Sequence, residues 1–495
     1  MKKLLKLAAL SIIATITYSC KEDFLDKQPS QFITTTQLAE AAAVDPGVIA
    51  GTMAGIYSLT FNTGTGGTQN HDDFGQKGYD IYSDMLCGDM ALSQSVYGWY
   101  RADITEFVAT QDFTRQRNYM PWRYYYRLIN SAHTVIDGLG GETVTPALDE
   151  NKWIMGQAKA IRAMSYFYLA QLYQKVYDAS EPILPIYRTS LDQNGPKVTA
   201  AEIYDLIESD FNDALTLLGN FTRADKSQIN RSVVQGYFAY ALAARGKYAE
   251  AYTQANAALT SGGFTVTQGS ELTAGFNDLA SAAGWMWGID QNTETGLGLV
   301  SFWGQVDYFS YSYAAVGDYK VMDATLYDAI PANDLRKAQF LNAPGSNLHG
   351  LPYYKFYDAG RVQFGASRPI QNDYVYMRVA EMHLMAAETA AMSGNEGAAR
   401  GHLKDLVSLR VPDATYIDAL SGQGLLDEIY LQTRIELWGE GKSYLAMKRN
   451  RATVTRGVNH LSNVGVAIAY NDERLTFEIP EAEIQNNPFI SDQNN

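Results

Sequence analysis

RSVVQGYFAYALAARGKYAEAYTQANAALTS, residues 231–261, reads as two helices joined at one glycine. Gly246-Lys247-Tyr248-Ala249-Glu250-Ala251 opens the second helix, and small residues at the turn let the two approach closely. This is a helical hairpin of the tetratricopeptide kind. Tyr374–Arg410 reads the same way, broken at Gly394, with Gly397-Ala398-Ala399 in the matching place. The two copies lie more than a hundred residues apart, so no continuous solenoid is expected. Helical pairs form a scaffold with something else inserted between them.

Working outward, Thr36–Thr60 is helical around Pro46, with Leu38, Ala42, Val48, Thr52 and Ile56 at helical spacing. A Gly/Thr/Asn-rich run, Phe61–Gly78, reads as a loop too polar and flexible for a core. Helical patterns resume at Trp122–Leu139 and Asn151–Tyr177. In the second, Ile154, Ala158, Ile161, Ser165, Tyr168 and Leu172 make one stripe, and Met164, Phe167 and Tyr173 fill a neighbouring face. A helix apolar on two sides packs between other helices. Phe264–Pro369 differs: Trp285, Trp287, Trp303, Tyr308, Tyr311 and Tyr313 stand among glycines, with β-like runs at Trp285–Ile289 and Gly298–Trp303. The expected organisation is a mainly α chain: a helical scaffold over 36–263, a loop- and strand-rich insert over 264–369, and helical hairpins with a tail over 370–495. Long loops on a rigid scaffold are where binding usually lives.

The N-terminus carries Lys2, Lys3 and Lys6, an apolar run from Leu7 to Ile16, then Thr17-Tyr18-Ser19-Cys20. The run is too short to span a bilayer and fits a secretory signal over 1–19. A cysteine directly after the small Ser19 is what a bacterial lipoprotein signal needs. Its thiol takes the lipid and becomes the anchored N-terminus of a leader over 20–35. The alternative is an ordinary signal with a chance cysteine. The formal charge is −15, and removal of the signal takes away three lysines and no acids. So acidic a chain lacks the basic footprint that nucleic acid demands. Cys87, the other of two cysteines, reads as a small buried hydrophobe.

Five segments, in order, resemble the SusD/RagB family of outer-membrane lipoproteins. They are Cys20-Lys21-Glu22-Asp23-Phe24-Leu25-Asp26; Arg162-Ala163-Met164-Ser165-Tyr166-Phe167, running on to Pro182-Ile183-Leu184-Pro185; and the 231–259 hairpin ending in Ser261-Gly262-Gly263-Phe264. Next come Arg378-Val379-Ala380-Glu381 with Ala387-Glu388, and last Arg434-Ile435-Glu436-Leu437-Trp438-Gly439-Glu440-Gly441 ahead of Ile479-Pro480. Thr433, Ser443 and Ala446 depart from the family's usual residues, and all three sit in scaffold. The resemblance implies a SusD-like α/α superhelix anchored through Cys20 at the cell surface of the outer membrane. It also implies oligosaccharide binding without catalysis, no cofactor, and a SusC-like TonB-dependent transporter as partner. Some members bind peptide or act as a transporter lid.

Sugars present apolar C–H faces and a belt of hydroxyls, so a binder wants flat aromatics flanked by polar groups. Two loop regions offer them: Asn70–Arg101, with Asp73, Tyr97, Trp99, Tyr100 and Arg101, and Trp303–Asp318, with Trp303, Tyr308 and Tyr311. His71, Asp72, Gln305, Asp307 and Tyr313 lie in the same stretches. Trp122, Trp153 and Trp438 read as core, while Trp285 and Trp287 alternate on one face of a strand. Glu381 and Glu388 invite a glycosidase reading, but seven residues are a helical rise of about 10.5 Å. The simpler account ties both acids to neighbours, with Arg434 a candidate. The six histidines show no metal spacing, and His133, His383 and His402 read as packing or capping residues.

Overall fold

The computed structural model describes residues 35–360 and 370–494. Cys20 and the signal lie outside the described residues, as does 361–369 of the insert. The chain is mainly α-helical, and no helix among the described residues is long and apolar enough to cross a membrane. The helices of seven or more residues are α1 (Thr35–Ala42), α2 (Gly47–Leu59), α3 (Gln76–Leu86), α4 (Gln116–Gly138), α5 (Asp149–Tyr173) and α6 (Ala200–Leu217). They continue as α7 (Arg231–Ala244), α8 (Tyr248–Ser261), α9 (Val379–Met392), α10 (Glu396–Val407), α11 (Gly422–Glu436) and α12 (Ser443–Arg449).

Several turns of the scaffold have a local cause. Thr199 and Glu202 form a reciprocal capping box that starts α6, and Asn230 Oδ1 accepts from Val233 N at 3.2 Å to start α7. Gly246 and Gly394, at φ +82° and +84°, close α7 and α9 in the left-handed conformation that favours glycine. α5 is buried along almost its whole length, as its two apolar faces predict. Arg162 on this helix makes a bidentate pair with Asp210 of α6, at 2.6 and 2.7 Å, so that motif arginine is a buried fastener.

From α4 to α9 each helix packs on the next in the series: α4 on α5, α5 on α6, α6 on α7, α7 on α8, and α8 directly on α9. The two hairpins that stand far apart in sequence therefore stack in space. The helical series thus continues in space across the sequence gap that separates the two hairpins.

Four two-stranded antiparallel ladders decorate that layer: β1 (Met90–Gln94) with β5 (Tyr319–Met322), β2 (Pro182–Pro185) with β3 (Lys197–Thr199), β4 (Trp285–Ile289) with β6 (Tyr374–Arg378), and β7 (Thr453–Thr455) with β8 (Ala467–Ala469). β4 is the strand expected at Trp285–Ile289, and both its tryptophans are core. Trp287 donates to Ser227 O at 3.0 Å. Two expectations fail. Tyr374–Arg378 is strand rather than the first turn of a helix, because its residues pair with β4. Gly298–Trp303 is not a strand: Ser301 caps a short helix, Phe302–Val306, by accepting from Gly304 N at 3.0 Å.

The run 61–78 departs further from its reading as a flexible surface loop. Asp72, Asp73, Gln76 and Lys77 are buried, and α3 is buried along its entire length. Asp72, Asp73, Gln76 and Lys77 enter this interior with partners of their own. Gln76 Nε2 donates to Asp80 at 3.0 Å, and Lys77 Nζ donates to Gly439 O at 3.2 Å.

Beneath the helical layer lies a buried ion cluster. Glu436 accepts from Arg410 at 2.9 Å, Arg378 at 3.1 Å and Arg336 at 3.3 Å, while Glu440 accepts from Arg378 at 2.7 Å and Lys355 at 3.0 Å. Burial raises the Glu436 pKa, yet the facing guanidiniums hold it well below the usual carboxylate range.

Candidate functional site

β1 and β5 run antiparallel, Met90 opposite Met322 and Gln94 opposite Tyr319. The chain leaving β1 therefore emerges beside the chain entering β5. This places loop 95–100 against loop 307–318, two stretches more than two hundred residues apart. Asp318 ties them: its carboxylate accepts from Val96 N and, at 3.1 Å, from Tyr97 N. Gln305 adds a second tie, donating to His71 O at 2.8 Å.

Aromatic side chains converge at this junction. His71 stacks on Trp99, centroids 5.2 Å apart and planes within 6°. Tyr313 packs edge-on against His71, Trp99 and Tyr97, at 5.8, 6.0 and 5.1 Å, and its hydroxyl bonds His71 Nδ1. The Arg117 guanidinium lies 5.4 Å from the Trp99 ring and is paired with Asp72 and Asp103. Tyr97, packed on this base, is 60% exposed, and Tyr311, two residues before Tyr313 in the chain, is 51% exposed. The arrangement is a packed aromatic base beside two solvent-exposed tyrosines. Such a surface can stack an apolar ring face and offer phenolic hydroxyls beside it.

The structure thus brings Tyr97 and Trp99 of the first predicted loop against Tyr313 of the second, with His71 between them, while Tyr311 stands exposed two residues before Tyr313. It does not bring in the others. Tyr100 and Trp303 are fully buried, Tyr100 edge-on to Tyr82 at 5.6 Å and Trp303 edge-on to Phe302 at 5.7 Å, so neither presents a face to a ligand. Asp73 is buried as a loop organiser, accepting from Gly66 N at 2.7 Å and Thr68 N at 3.0 Å. Tyr308 packs away from the platform, near Tyr353 and the β1–β5 core. Arg101 is exposed and paired with Glu106 at 3.2 Å. Asp307 is buried, accepting from Phe309 N at 2.8 Å.

The carboxylate pair of α9 is internal as well. Glu388 pairs with Arg449 at 2.6 Å and Glu381 with Lys442 at 3.6 Å. Arg434, the expected partner, instead pairs with Asp89 at 2.6 Å. Cys87 is buried, as expected, and burial pushes its thiol up. Trp122 and Trp438 are buried, and Trp153 is half-buried against Phe221.

A second concave surface escaped the sequence reading. A cavity of about 410 Å³ runs along α4, lined by Tyr119, Trp122, Arg123, Tyr126, Arg127 and Tyr187. The signal was there: 119, 122, 123 and 126 recur at helical spacing and so share one face.

Comparison with known proteins follows the same architecture. The family model described as "Starch-binding associating with outer membrane" matches residues 23–248, and that of the SusD family matches 337–495. No curated protein matches the chain. Among solved structures, a SusD-like carbohydrate binding protein from Bacteroides vulgatus is 24% identical, with a TM-score of 0.75 over 90% of this chain and 97% of that one. A SusD superfamily protein from Bacteroides thetaiotaomicron is 21% identical, with a TM-score of 0.73 over 91% and 99%. Surface glycan-binding protein A from Bacteroides thetaiotaomicron is 14% identical, with a TM-score of 0.68 over 91% and 98%. At these identities the likeness is one of fold, but with family matches over both ends of the chain, it belongs to the SusD/RagB family.

Proposed function

We propose that this protein is a cell-surface lipoprotein, anchored through Cys20 in the outer membrane, that binds an oligosaccharide on the Tyr97–Trp99–Tyr311 platform without catalysis. It passes the ligand to a SusC-like TonB-dependent transporter. The observation that carries this reading is the packed Trp99–His71–Tyr313 base with exposed Tyr97 against it and exposed Tyr311 in the adjoining loop. Further support comes from the family description, which names starch binding and outer-membrane association, and from relatives named as carbohydrate- or glycan-binding. Held by its neighbours, the base loses little conformational freedom when a ligand arrives. The division into a helical scaffold and a loop-rich insert belongs to the same proposal, with the insert supplying half of the platform.

A glycan array probed with the full chain tests it, beside Tyr97→Ala and Trp99→Ala. The expected result is an oligosaccharide hit weakened about tenfold or more in each variant, with no sugar released on long incubation. Binding kept by both variants moves the site to the cavity along α4. Sustained hydrolysis by pure protein overturns the non-catalytic reading. A blank array, with binding only to peptides, favours the peptide-binding form of the family.

A further inference from the structure

Helices α9 and α10 bring together three side chains that no spacing in the chain would group. His383 lies on α9; His402 and Asp405 lie one turn apart on α10. One ring nitrogen from each histidine and one Asp405 oxygen all stand within 4.8 Å of one another. The two rings are 6.1 Å apart and inclined at 60°. Nδ1 of His383 and Nδ1 of His402 are both shielded from solvent, and neither has a hydrogen-bond partner. Two neighbouring buried nitrogens left unsatisfied call for an explanation.

Their surroundings resemble those of metal-ligating imidazoles. The second nitrogen of such a ring is held by an outer partner, which leaves the first free to offer its lone pair. Here His402 Nε2 faces the Tyr252 hydroxyl at 3.5 Å. Asp405 is exposed and makes no hydrogen bond or ion pair among the described residues, so an ion can enter from its side. Ligand atoms around a tetrahedral ion stand roughly 3.3 Å apart, given metal–ligand distances near 2.0 Å. Rotation of the free Asp405 side chain and a small adjustment of the rings close the difference.

We propose that His383, His402 and Asp405 form a site for a divalent transition-metal ion, with Zn²⁺ the best fit, bridging the two helices of the second hairpin. Two imidazoles and one carboxylate with an open fourth position suit zinc. Calcium and magnesium prefer all-oxygen shells. The site shares no residue with the aromatic platform, so it would brace the scaffold rather than touch the ligand.

Titration of Zn²⁺ and Co²⁺ into the full chain, purified without a histidine tag, tests the site. The expected result is one equivalent bound, the visible spectrum of tetrahedral Co²⁺, and a Tm that rises with Zn²⁺. His383→Gln, His402→Gln and Asp405→Asn should each weaken binding about tenfold or more. Asp405 is exposed, so Asp405→Asn decides the matter even where a histidine variant fails to fold. Absence of saturable binding, an octahedral Co²⁺ spectrum, or affinity unchanged by Asp405→Asn overturns the proposal.

Discussion

Asp307 anchors the turn that carries Tyr308–Tyr313, accepting from Phe309 N at 2.8 Å and Asp358 N at 3.1 Å. Burial pushes its carboxyl up to about 7, against about 3.9 in an unfolded chain. Between those values the native state holds a proton that the unfolded state has lost. Stability from this group is therefore fully present below about pH 4 and is lost as pH rises through about 7. Asp307→Asn removes the group, so its Tm should fall less than that of the parent chain across pH 4–7. Thermal unfolding at a series of pH values checks this, and identical slopes in the two proteins would refute it. The same residue shows why a residue type alone misleads. Asp307, Asp73 and Trp303 were all plausible ligand contacts by chemistry, and all three are consumed by the chain's own packing and amides.

At the scale of elements, the hairpin turns are where local chemistry governs. Gly246 sits at φ +82° with no atom within 4 Å of where a Cβ would stand, so alanine there meets strain but no clash. Gly246→Ala should cost about 1 kcal/mol, the ordinary penalty for a non-glycine residue in this conformation. Urea unfolding measures it. A neutral result would mean that the turn relaxes to negative φ. The β1–β5 ladder is the opposite case. Its strands are short and its partner residues are distant in the chain, yet this pairing creates the platform by setting loop 95–100 beside loop 307–318.

For the whole molecule, the ion cluster around Glu436 joins three separate parts of the chain. Arg336 comes from the insert, Arg378 from β6 and Arg410 from the segment after α10, and all are buried. Removing one acid leaves guanidiniums in the interior without their counter-charge. Glu436→Gln should therefore destabilise the fold by roughly 3–5 kcal/mol, read from the urea midpoint. A loss below 1 kcal/mol would show that Glu440 and Asp334, which pairs with Arg336 at 2.6 Å, compensate.

Helices were legible from sequence because their determinants are local. Apolar spacing over Asn151–Tyr177 and Arg231–Ser261, with a glycine at each hairpin turn, is written within a few residues of where it acts. The aromatic stretches holding Tyr97, Trp99 and Tyr311 were legible on the same terms, as were the core tryptophans at 122 and 438. Burial is a property of the assembled whole. A polar run such as 71–80 reads as surface until the interior supplies partners for its charged and amide groups. Stacking of α8 on α9, the meeting of two remote loops at Asp318, and the grouping of His383 with His402 and Asp405 all depend on contacts between distant residues. Residue types and helix positions were set by the chain itself. Which aromatics stand open to a ligand was decided only by tertiary packing, because exposure is what remains once every other face has found a neighbour.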